Sequence, residues 1–338
     1  MLRLVARDLA VDLGTANTLI YEVGGELVLS EPSCVAVRVS PSQRRQVIAY
    51  GAEAKAMLGR VPEGVQVIKP VRNGVIADFD MAAEMLRFFF KQVRKRSRTV
   101  LKPRVMVGIP GGVSEVEKRA IREALEGEAR DVKLIDEAMA AAIGCDLPVA
   151  EATASLIVDI GGGTTDIAVI SLLDVVYSAT LRQGGDAMDE AIVNYVRRRH
   201  HLLIGESTAE HVKRVIGSAH PRFDLYQMEI KGRSLTSGAP ESVVVGSAEI
   251  REAISEIISA IIGAVRHALE KTPPELSGDI VSRGILLSGG GSLLRGIDLA
   301  LAESLNVMVK VADNPLSVVA YGAGRCLGDL QNYRSVIL

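Results

Sequence analysis

Two segments of the sequence, about half a chain apart, carry the same order of chemical groups. Each has an aspartate at the end of an apolar run, then glycine with small or hydroxyl residues, and then a second run rich in β-formers, at 9–23 and 156–170. This order predicts two strand–turn–strand hairpins with Asp12 and Asp159 at equivalent positions. Two copies of one pattern predict a duplicated fold with a cleft between its halves.

The turns of both hairpins suit a phosphate group. Glycine has no Cβ, so its N–H can approach an anion closely, and hydroxyl and amide groups add hydrogen-bond donors. A third glycine loop follows a predicted strand at 284–288. A single glycine cluster is more often only a turn, but three matched loops with two strand-end aspartates favour a triphosphate site. The loop residues are Gly14, Thr15, Asn17, Gly161, Gly162, Gly163, Thr164, Thr165, Gly289, Gly290 and Gly291.

The two aspartates predict a metal ion at the same place. A carboxylate repels a phosphate, but it can hold Mg²⁺ through water molecules, and the metal then bridges the phosphates. We therefore expect Asp12 and Asp159 to hold Mg²⁺ beside the triphosphate.

The composition is that of a globular chain with two or three domain-sized units. Of its 338 residues, 48% are apolar and 24% are charged, and the net charge of -2 gives no reason to expect a nucleic-acid partner. Cys34, Cys145 and Cys326 have neither disulfide nor metal-ligand spacing, so we expect buried thiols in a reducing cytosol. No secretory signal or apolar window of about 18 residues is visible, which predicts a soluble protein or one that lies on a membrane.

Strands and helices alternate along the chain, which predicts an α/β fold with mostly parallel sheets. One helix is expected to begin at Ser114, where Glu117 completes a capping box. The clearest helix is 249–270, whose isoleucines recur at helical spacing. Another helix is expected from about Ser292.

Three motifs resemble the nucleotide-binding motifs of the actin superfamily. DLGTANTLIY at 12–21 and DIGGGTTD at 159–166 resemble its phosphate-1 and phosphate-2 motifs, and GILLSGGGSLLRG at 284–296 resembles its adenosine motif. Five further stretches, NGVIADF, MAAAIG, GDAMDEAI, IGESTAEHVK and EKTPPEL, narrow the resemblance to the MreB family of bacterial actin homologues. The resemblance covers nearly the whole chain.

The resemblance implies an actin-like α/β fold. This is a duplicated, ribonuclease H-like fold with two lobes and four subdomains around a nucleotide cleft. The implied ranges are 1–31 and 79–145 with a C-terminal helix at 315–338 for subdomain IA, 32–78 for IB, 146–180 and 247–314 for IIA, and 181–246 for IIB.

The resemblance also implies ATP and Mg²⁺ as cofactors and assigns roles to individual residues. Glu210 and Lys213, one turn apart on a helix, would reach the ribose and base; on the residues alone, a surface ion pair is the simpler interpretation. The other implied ligands of the phosphates and adenosine are Gly14, Thr15, Ala16, Asn17, Gly161, Gly162, Gly163, Thr164, Gly289, Gly290, Gly291, Ser292 and Leu293.

Glu137 matches the family residue that orients the attacking water, a role that suits a carboxylate and implies a weak, Mg²⁺-dependent ATPase. On the residues alone, a charge that favours a helix N-terminus is the alternative. Three positions depart from the family pattern: Ala138 replaces Pro, Asp166 replaces Glu, and Gly111 with Gly112 replaces one small residue. These departures bear on hydrolysis more than on binding.

The family implies paired protofilaments of the chain itself on the inner face of the plasma membrane. They would direct cell-wall synthesis and maintain cell shape together with MreC, MreD, RodZ and the peptidoglycan synthesis machinery. The membrane anchor is expected at Val100 and Leu101, where family members insert an apolar loop, and the alternative is a solvated run of charges. The basic residues around this pair are Lys91, Arg94, Lys95, Arg96, Arg98, Lys102 and Arg104.

Other functions remain open at this point. Asp166 is the Hsp70-like choice, so a chaperone ATPase is one alternative, although it needs a peptide-binding domain. A small-molecule kinase needs a base beside a sugar pocket, which nothing here marks. An actin that positions plasmids or organelles is disfavoured by the MreB-type stretches.

Overall fold

The structure is a computed structural model that describes residues 7–40, 44–97 and 101–338. The strands in these residues are β1 (Leu9–Leu13), β2 (Asn17–Glu22), β3 (Leu27–Pro32), β4 (Val35–Val39), β5 (Arg45–Tyr50), β6 (Val65–Ile68), β7 (Val71–Arg72), β8 (Val75–Ile76), β9 (Arg104–Ile109), β10 (Asp131–Asp136), β11 (Ser155–Ile160), β12 (Thr165–Ser171), β13 (Asp174–Leu181), β14 (Leu202–Leu203), β15 (Gln227–Ser234), β16 (Pro240–Gly246), β17 (Ile285–Ser288) and β18 (Val309–Val311). The α-helices are α1 (Gly51–Ala56), α2 (Phe79–Ser97), α3 (Glu115–Ala124), α4 (Glu137–Gly144), α5 (Gly185–His200), α6 (Glu206–Ile216), α7 (Ser247–Lys271), α8 (Pro274–Arg283), α9 (Ile297–Leu305) and α10 (Val318–Gly328).

Two five-stranded sheets share one topology, and each is built around one of the predicted hairpins. The strand orders are β3-β2-β1-β9-β10 and β13-β12-β11-β17-β18. In both sheets the hairpin strands and the strand after them are antiparallel, whereas the two strands on the other side run parallel. The predicted duplication is therefore present in the strand order itself.

The expectation of mostly parallel sheets is wrong, because half of the strand pairs in each large sheet are antiparallel. Short turns join β1 to β2 and β11 to β12, and a short turn can join only antiparallel strands. The parallel pairs have longer connections, as where α3 joins β9 to β10.

Each large sheet is accompanied by a small one. The sheet β5-β4-β6 packs with α1, and the sheet β14-β15-β16 packs with α5 and α6. These elements fall within 32–78 and 181–246, which we keep as the proposed bounds of the small subdomains.

The two large sheets meet at a pair of helices, α4 and α10. Ala10 of the first sheet and Ile157 of the second pack with both helices in one buried cluster. The helices touch through their backbones: a Cβ added to Gly322 would lie 1.8 Å from the carbonyl oxygen of Ala140, and one added to Gly144 would lie 2.1 Å from a carbonyl oxygen of α10. This contact fixes how the two hairpins face each other.

Two helix positions differ from the sequence-based expectations. The capping box of Ser114 and Glu117 is present, but the helix expected from Ser292 begins at Ile297, after a 3-10 turn. Gly296 has a φ of 74°, a left-handed conformation that separates the turn from α9.

The C-terminal helix is shorter than the implied 315–338. It begins at Val318, after Pro315, and ends at Gly328. A 3-10 turn at Arg334–Val336 then leads to a bridge between Ile337 and β10.

Candidate functional site

The turns of the two hairpins lie against each other. A Cβ added to Gly162 would lie 2.7 Å from the Cβ of Ala16, and one added to Gly163 would lie 2.6 Å from Oγ1 of Thr15. Since real Cβ atoms do not approach this closely, the second turn requires glycine at both positions. The structure thus brings the candidate phosphate ligands of the two hairpins into contact.

A third turn, at Asn73 and Gly74, contacts both hairpins and was not predicted as part of the site. The N–H of Gly74 donates to Oγ1 of Thr15 at 3.2 Å, and a Cβ on Gly163 would lie 2.8 Å from the backbone nitrogen of Asn73. Asn73 has a φ of 49°, which asparagine adopts more readily than most residues. The Asn-Gly pair predicts a turn, but it does not predict that the turn packs against the two hairpins.

Asp12 on β1 and Asp159 on β11 share one space. Burial, and then the charge of Asp159, raise the pKa of Asp12 to about 7. Burial also raises the pKa of Asp159 to about 7, although Oγ of Ser288 donates to its Oδ2 at 2.6 Å and favours the charged form. The predicted metal-holding carboxylates are therefore neighbours, as the duplicated pattern requires.

Glu137 is the first residue of α4 and is only 8% exposed. Burial, followed by the charges of Asp12, Asp166 and Asp159, raises its pKa well above the ordinary value. The N-cap of α4 is Asp136, whose Oδ1 accepts a backbone hydrogen bond of 3.1 Å. Because the helix already has a capping carboxylate, the position of Glu137 fits a chemical role better than a helix-stabilising one.

Asp166 belongs to the same cluster, although in the sequence it stands out only as a departure from the family pattern. It lies opposite Asp159 in the register of β11 and β12 and is 3% exposed. Burial raises its pKa to about 6, while Oγ1 of Thr180 donates to its Oδ1 at 2.6 Å. Sequence reasoning missed this fourth carboxylate because its distance from the others depends on the strand register.

The cluster of four carboxylates, Asp12, Glu137, Asp159 and Asp166, suits a bound cation. Burial and neighbouring carboxylates are what raise the pKa values of its members. In the described ranges, no three acidic, histidine or cysteine side chains converge closely enough to hold a metal directly. Mg²⁺ commonly keeps several water ligands, so the residues present fit a magnesium ion held through water and phosphate oxygens.

The predicted adenosine loop is the 3-10 turn Gly290–Leu293, directly after β17. A Cβ on Gly291 would lie 2.2 Å from Cγ2 of Ile160, so the turn packs tightly on the second hairpin. A Cβ on Gly289 would lie 2.8 Å from Oδ1 of Asp159. The loop therefore adjoins the carboxylate cluster, and its last residue is 55% exposed.

Glu210 and Lys213 lie on α6, as predicted, but each has a different partner. Nζ of Lys213 lies 2.8 Å from Oδ1 of Asp189 and donates to the carbonyl oxygen of Gly185 at 2.7 Å. Glu210 pairs instead with Lys55, at 2.7 Å. The simple alternative, a surface pair between Glu210 and Lys213, is not what the structure shows.

The family model for MreB/Mbl protein matches residues 6–335. The chain belongs to the MreB/Mbl family. It is 52% identical over 324 residues to the cell shape-determining protein MreB of Escherichia coli (strain K12), which covers 95% of this chain and 93% of that protein. It is 43% identical over 326 residues to the cell shape-determining protein Mbl of Bacillus subtilis (strain 168), covering 96% and 97% of the two chains.

Solved structures of MreB-family proteins have the same fold. The crystal structure of MreB5 of Spiroplasma citri bound to ADP has a TM-score of 0.91 at 34% identity and covers 98% of this chain and 99% of that one. The structure of the same protein bound to AMPPNP has a TM-score of 0.90. The MamK double helical filament, at 22% identity and a TM-score of 0.78, bears on the fold alone. The predicted actin-like fold is confirmed.

The expected membrane segment of this MreB/Mbl chain lies partly outside the described residues, which omit Val100. Leu101 is 51% exposed. Arg94, Arg96 and Arg104 have partners within the fold: a carboxylate of Glu128 at 3.0 Å, the carbonyl oxygen of Val28 at 2.9 Å and a carboxylate of Asp8 at 2.9 Å, respectively.

In the described part of the segment, the basic residues are therefore not all free of contacts with the rest of the protein. Three of its arginines have partners within the fold, while Lys91, Lys95 and Lys102 are exposed. Within 7–40, 44–97 and 101–338, no helix is long and apolar enough to cross a membrane.

Proposed function

We propose that this chain binds ATP with Mg²⁺ between its two lobes and assembles into filaments that direct cell-wall synthesis. The observation that carries the proposal is the contact between the duplicated hairpin turns beside four clustered carboxylates. Structures of the MreB5 relative bound to ADP and AMPPNP support the nucleotide. The cell shape-determining relatives support the cellular role.

Binding follows from the groups that the turns present. Backbone N–H groups of the two turns would bind phosphate oxygens, and the hydroxyls of Thr15 and Thr164 would add donors. Asp12 and Asp159 would hold Mg²⁺ through water, and the ion would offset the negative charge of the phosphates. The turn Gly290–Leu293 would accept the adenosine, with Glu210 and Lys213 on the opposite side.

Hydrolysis would depend on Glu137. Its carboxylate would orient a water molecule toward the γ-phosphate and accept the water's proton. Without a cation, burial and the charges of Asp12, Asp166 and Asp159 raise the pKa of Glu137, and a bound Mg²⁺ would offset those charges and favour the ionised carboxylate that this role needs. Asp166, buried beside it, would help to fix the hydrogen bonds around this water.

Filaments would place many copies of each weak contact on one surface. In this proposal, paired protofilaments lie on the inner face of the plasma membrane, and the segment around Val100 and Leu101 is one anchor. Each copy would bind weakly, and the polymer would multiply the contacts. MreC, MreD, RodZ and peptidoglycan synthases are the proposed partners.

Sedimentation and negative-stain imaging with ATP and Mg²⁺, with and without anionic liposomes, test this proposal. We expect paired protofilaments that require the nucleotide and that associate with the liposomes. Asp12→Ala should abolish assembly, whereas Asp131→Ala, at an exposed position of β10, should assemble like the wild type. A monomer that releases peptides or phosphorylates a sugar would refute it.

A further inference from the structure

Three ion pairs connect the two lobes beside the proposed nucleotide site. Nζ of Lys55 on α1 lies 2.7 Å from both carboxylate oxygens of Glu210 on α6. Lys69, which follows β6, pairs with Glu206 at the start of α6 and lies 3.3 Å from Oδ2 of Asp186 in the first turn of α5. We call these contacts the cross-lobe ion pairs.

The cross-lobe ion pairs are partly shielded from water, although the side chain of Glu206 is 44% exposed. The side chain of Lys69 is 21% exposed and that of Glu210 is 28% exposed. Burial would lower the pKa of Lys69, but Asp186 and Glu206 outweigh burial and raise it. Burial likewise opposes the ionisation of Glu210, but Lys55 outweighs it and lowers the pKa. Both sets of charges are therefore mutually stabilised.

On the side of α5 and α6, the pairs are attached directly to the candidate site. The N–H of Asp186 donates to the carbonyl oxygen of Gly162 at 2.8 Å, so this acidic partner is fixed to the second phosphate turn. Glu210 lies on the same helix as Lys213, which donates to the carbonyl oxygen of Gly185. Movement of these acidic groups would therefore displace the turn and the proposed ribose ligand together.

On the other side, the chain runs from Lys69 to the unpredicted turn in five residues. That turn, at Asn73 and Gly74, contacts Thr15 of the first hairpin and Gly163 of the second. Lys69 is thus close in sequence to a turn that contacts both phosphate turns, and its partner Asp186 is hydrogen-bonded to the second of them.

We propose that the cross-lobe ion pairs form a latch that closes the nucleotide entrance and slows nucleotide release. This inference rests on the proposed ATP binding. The nucleotide between the lobes leaves when they separate, and separation breaks all three pairs. Lys55 also positions the carboxylate of Glu210, because it contacts both oxygens that a ribose hydroxyl would use.

The first test measures release of a fluorescent ATP analogue with Mg²⁺ by stopped flow. We expect Lys69→Met and Lys55→Met each to speed release by about 5- to 10-fold, and the double variant to speed it by more. Ion pairs that form a network contribute more to stability than isolated surface pairs do. Lys133→Met is the matched control, since Lys133 pairs with Asp131 on its own strand. Lys69→Glu should be partly rescued by adding Glu206→Lys, neither residue being a proposed nucleotide ligand.

The second test needs no nucleotide. Spin labels on cysteines introduced at Arg60 and Ala239, exposed positions on the two small-sheet regions, report the separation of the lobes. Lys55→Met with Lys69→Met should lengthen and broaden the distance distribution, and high salt should do the same to the wild type. Unchanged distances together with unchanged release would overturn the latch while leaving ATP binding intact. A distance change in a protein that binds no ATP analogue would instead show that the ion pairs hold the lobes together, but it would refute the proposed function and the effect on nucleotide release with it.

Discussion

Replacing Asp159 by asparagine should change how the stability of the nucleotide-free protein depends on pH. A carboxyl group whose pKa is raised on folding binds its proton more tightly in the folded state. Its ionisation therefore destabilises the fold as the pH rises from the unfolded-state value of 3.8 towards about 7. Asparagine keeps the shape and can accept the hydrogen bond of Ser288 without this charge.

The size of the effect follows from the two pKa values. A shift from 3.8 to about 7 corresponds to a penalty of about 4 kcal/mol at pH 8 and about 2 kcal/mol at pH 5. The free energy of unfolding of Asp159→Asn, relative to that of the wild type, should therefore rise by about 2–3 kcal/mol from pH 5 to pH 8. Relaxation of the site would make this rise smaller.

Urea unfolding between pH 5 and pH 8, without nucleotide or Mg²⁺, measures this difference. Asp131→Asn, exposed on β10, should show no such trend. The same Asp159→Asn variant should lose the stabilisation that Mg²⁺ with an ATP analogue gives the wild type. If the free energies of unfolding of wild type and Asp159→Asn changed equally with pH, the carboxylate of Asp159 would not be buried beside other carboxylates. The proposed magnesium site would then be refuted.

Three further predictions concern the helix contact, hydrolysis and the membrane. Gly322→Ala should destabilise the fold by about 3 kcal/mol or more in thermal or urea unfolding, because its Cβ would lie 1.8 Å from a backbone oxygen, whereas Gly263→Ala, which meets open space on α7, should stabilise by up to about 1 kcal/mol. Glu137→Gln should lower the ATPase rate at least about 100-fold in a phosphate-release assay, with little change in binding of a non-hydrolysable analogue; retained hydrolysis would remove Glu137 as the base. Leu101→Glu should lower co-sedimentation with anionic liposomes, and Val116→Glu on α3, where the side chain is 79% exposed against 51% for Leu101, should not; equal binding of both would exclude Leu101 as an anchor.

Local chemistry was enough to predict the hairpins and their equivalence. The Asp-x-Gly patterns mark a strand end and a turn at Asp12 and Asp159. The packing of the two sheets against α4 and α10 then brings these aspartates together. The capping box at Ser114 is equally local, because its hydrogen bonds span three residues. The helix expected from Ser292 shows the limit, since a glycine turn and a helix start contain the same residue types.

Contacts between distant segments could not be predicted in this way. Lys55 and Glu210 are separated by 155 positions, and only the packing of the lobes brings them together. The partner of Lys213 is Asp189 on another helix, although Glu210 is nearer in sequence. Where a side chain has several possible partners, the tertiary structure decides which one it contacts, and residue spacing does not predict that choice.

The backbone contact between α4 and α10 has a consequence for any motion of the lobes. Because no side chain separates the two backbones at Gly144 and Gly322, these points of contact have no rotamers through which they can repack. We therefore expect the helices to roll over each other only slightly and this contact to serve as the hinge between the lobes. A small rotation at this contact produces larger displacements at greater distance, so the small sheets should move most. Probes placed near α4 and α10 should therefore show little change when the lobes open and close, whereas probes on the small sheets should show large changes in distance.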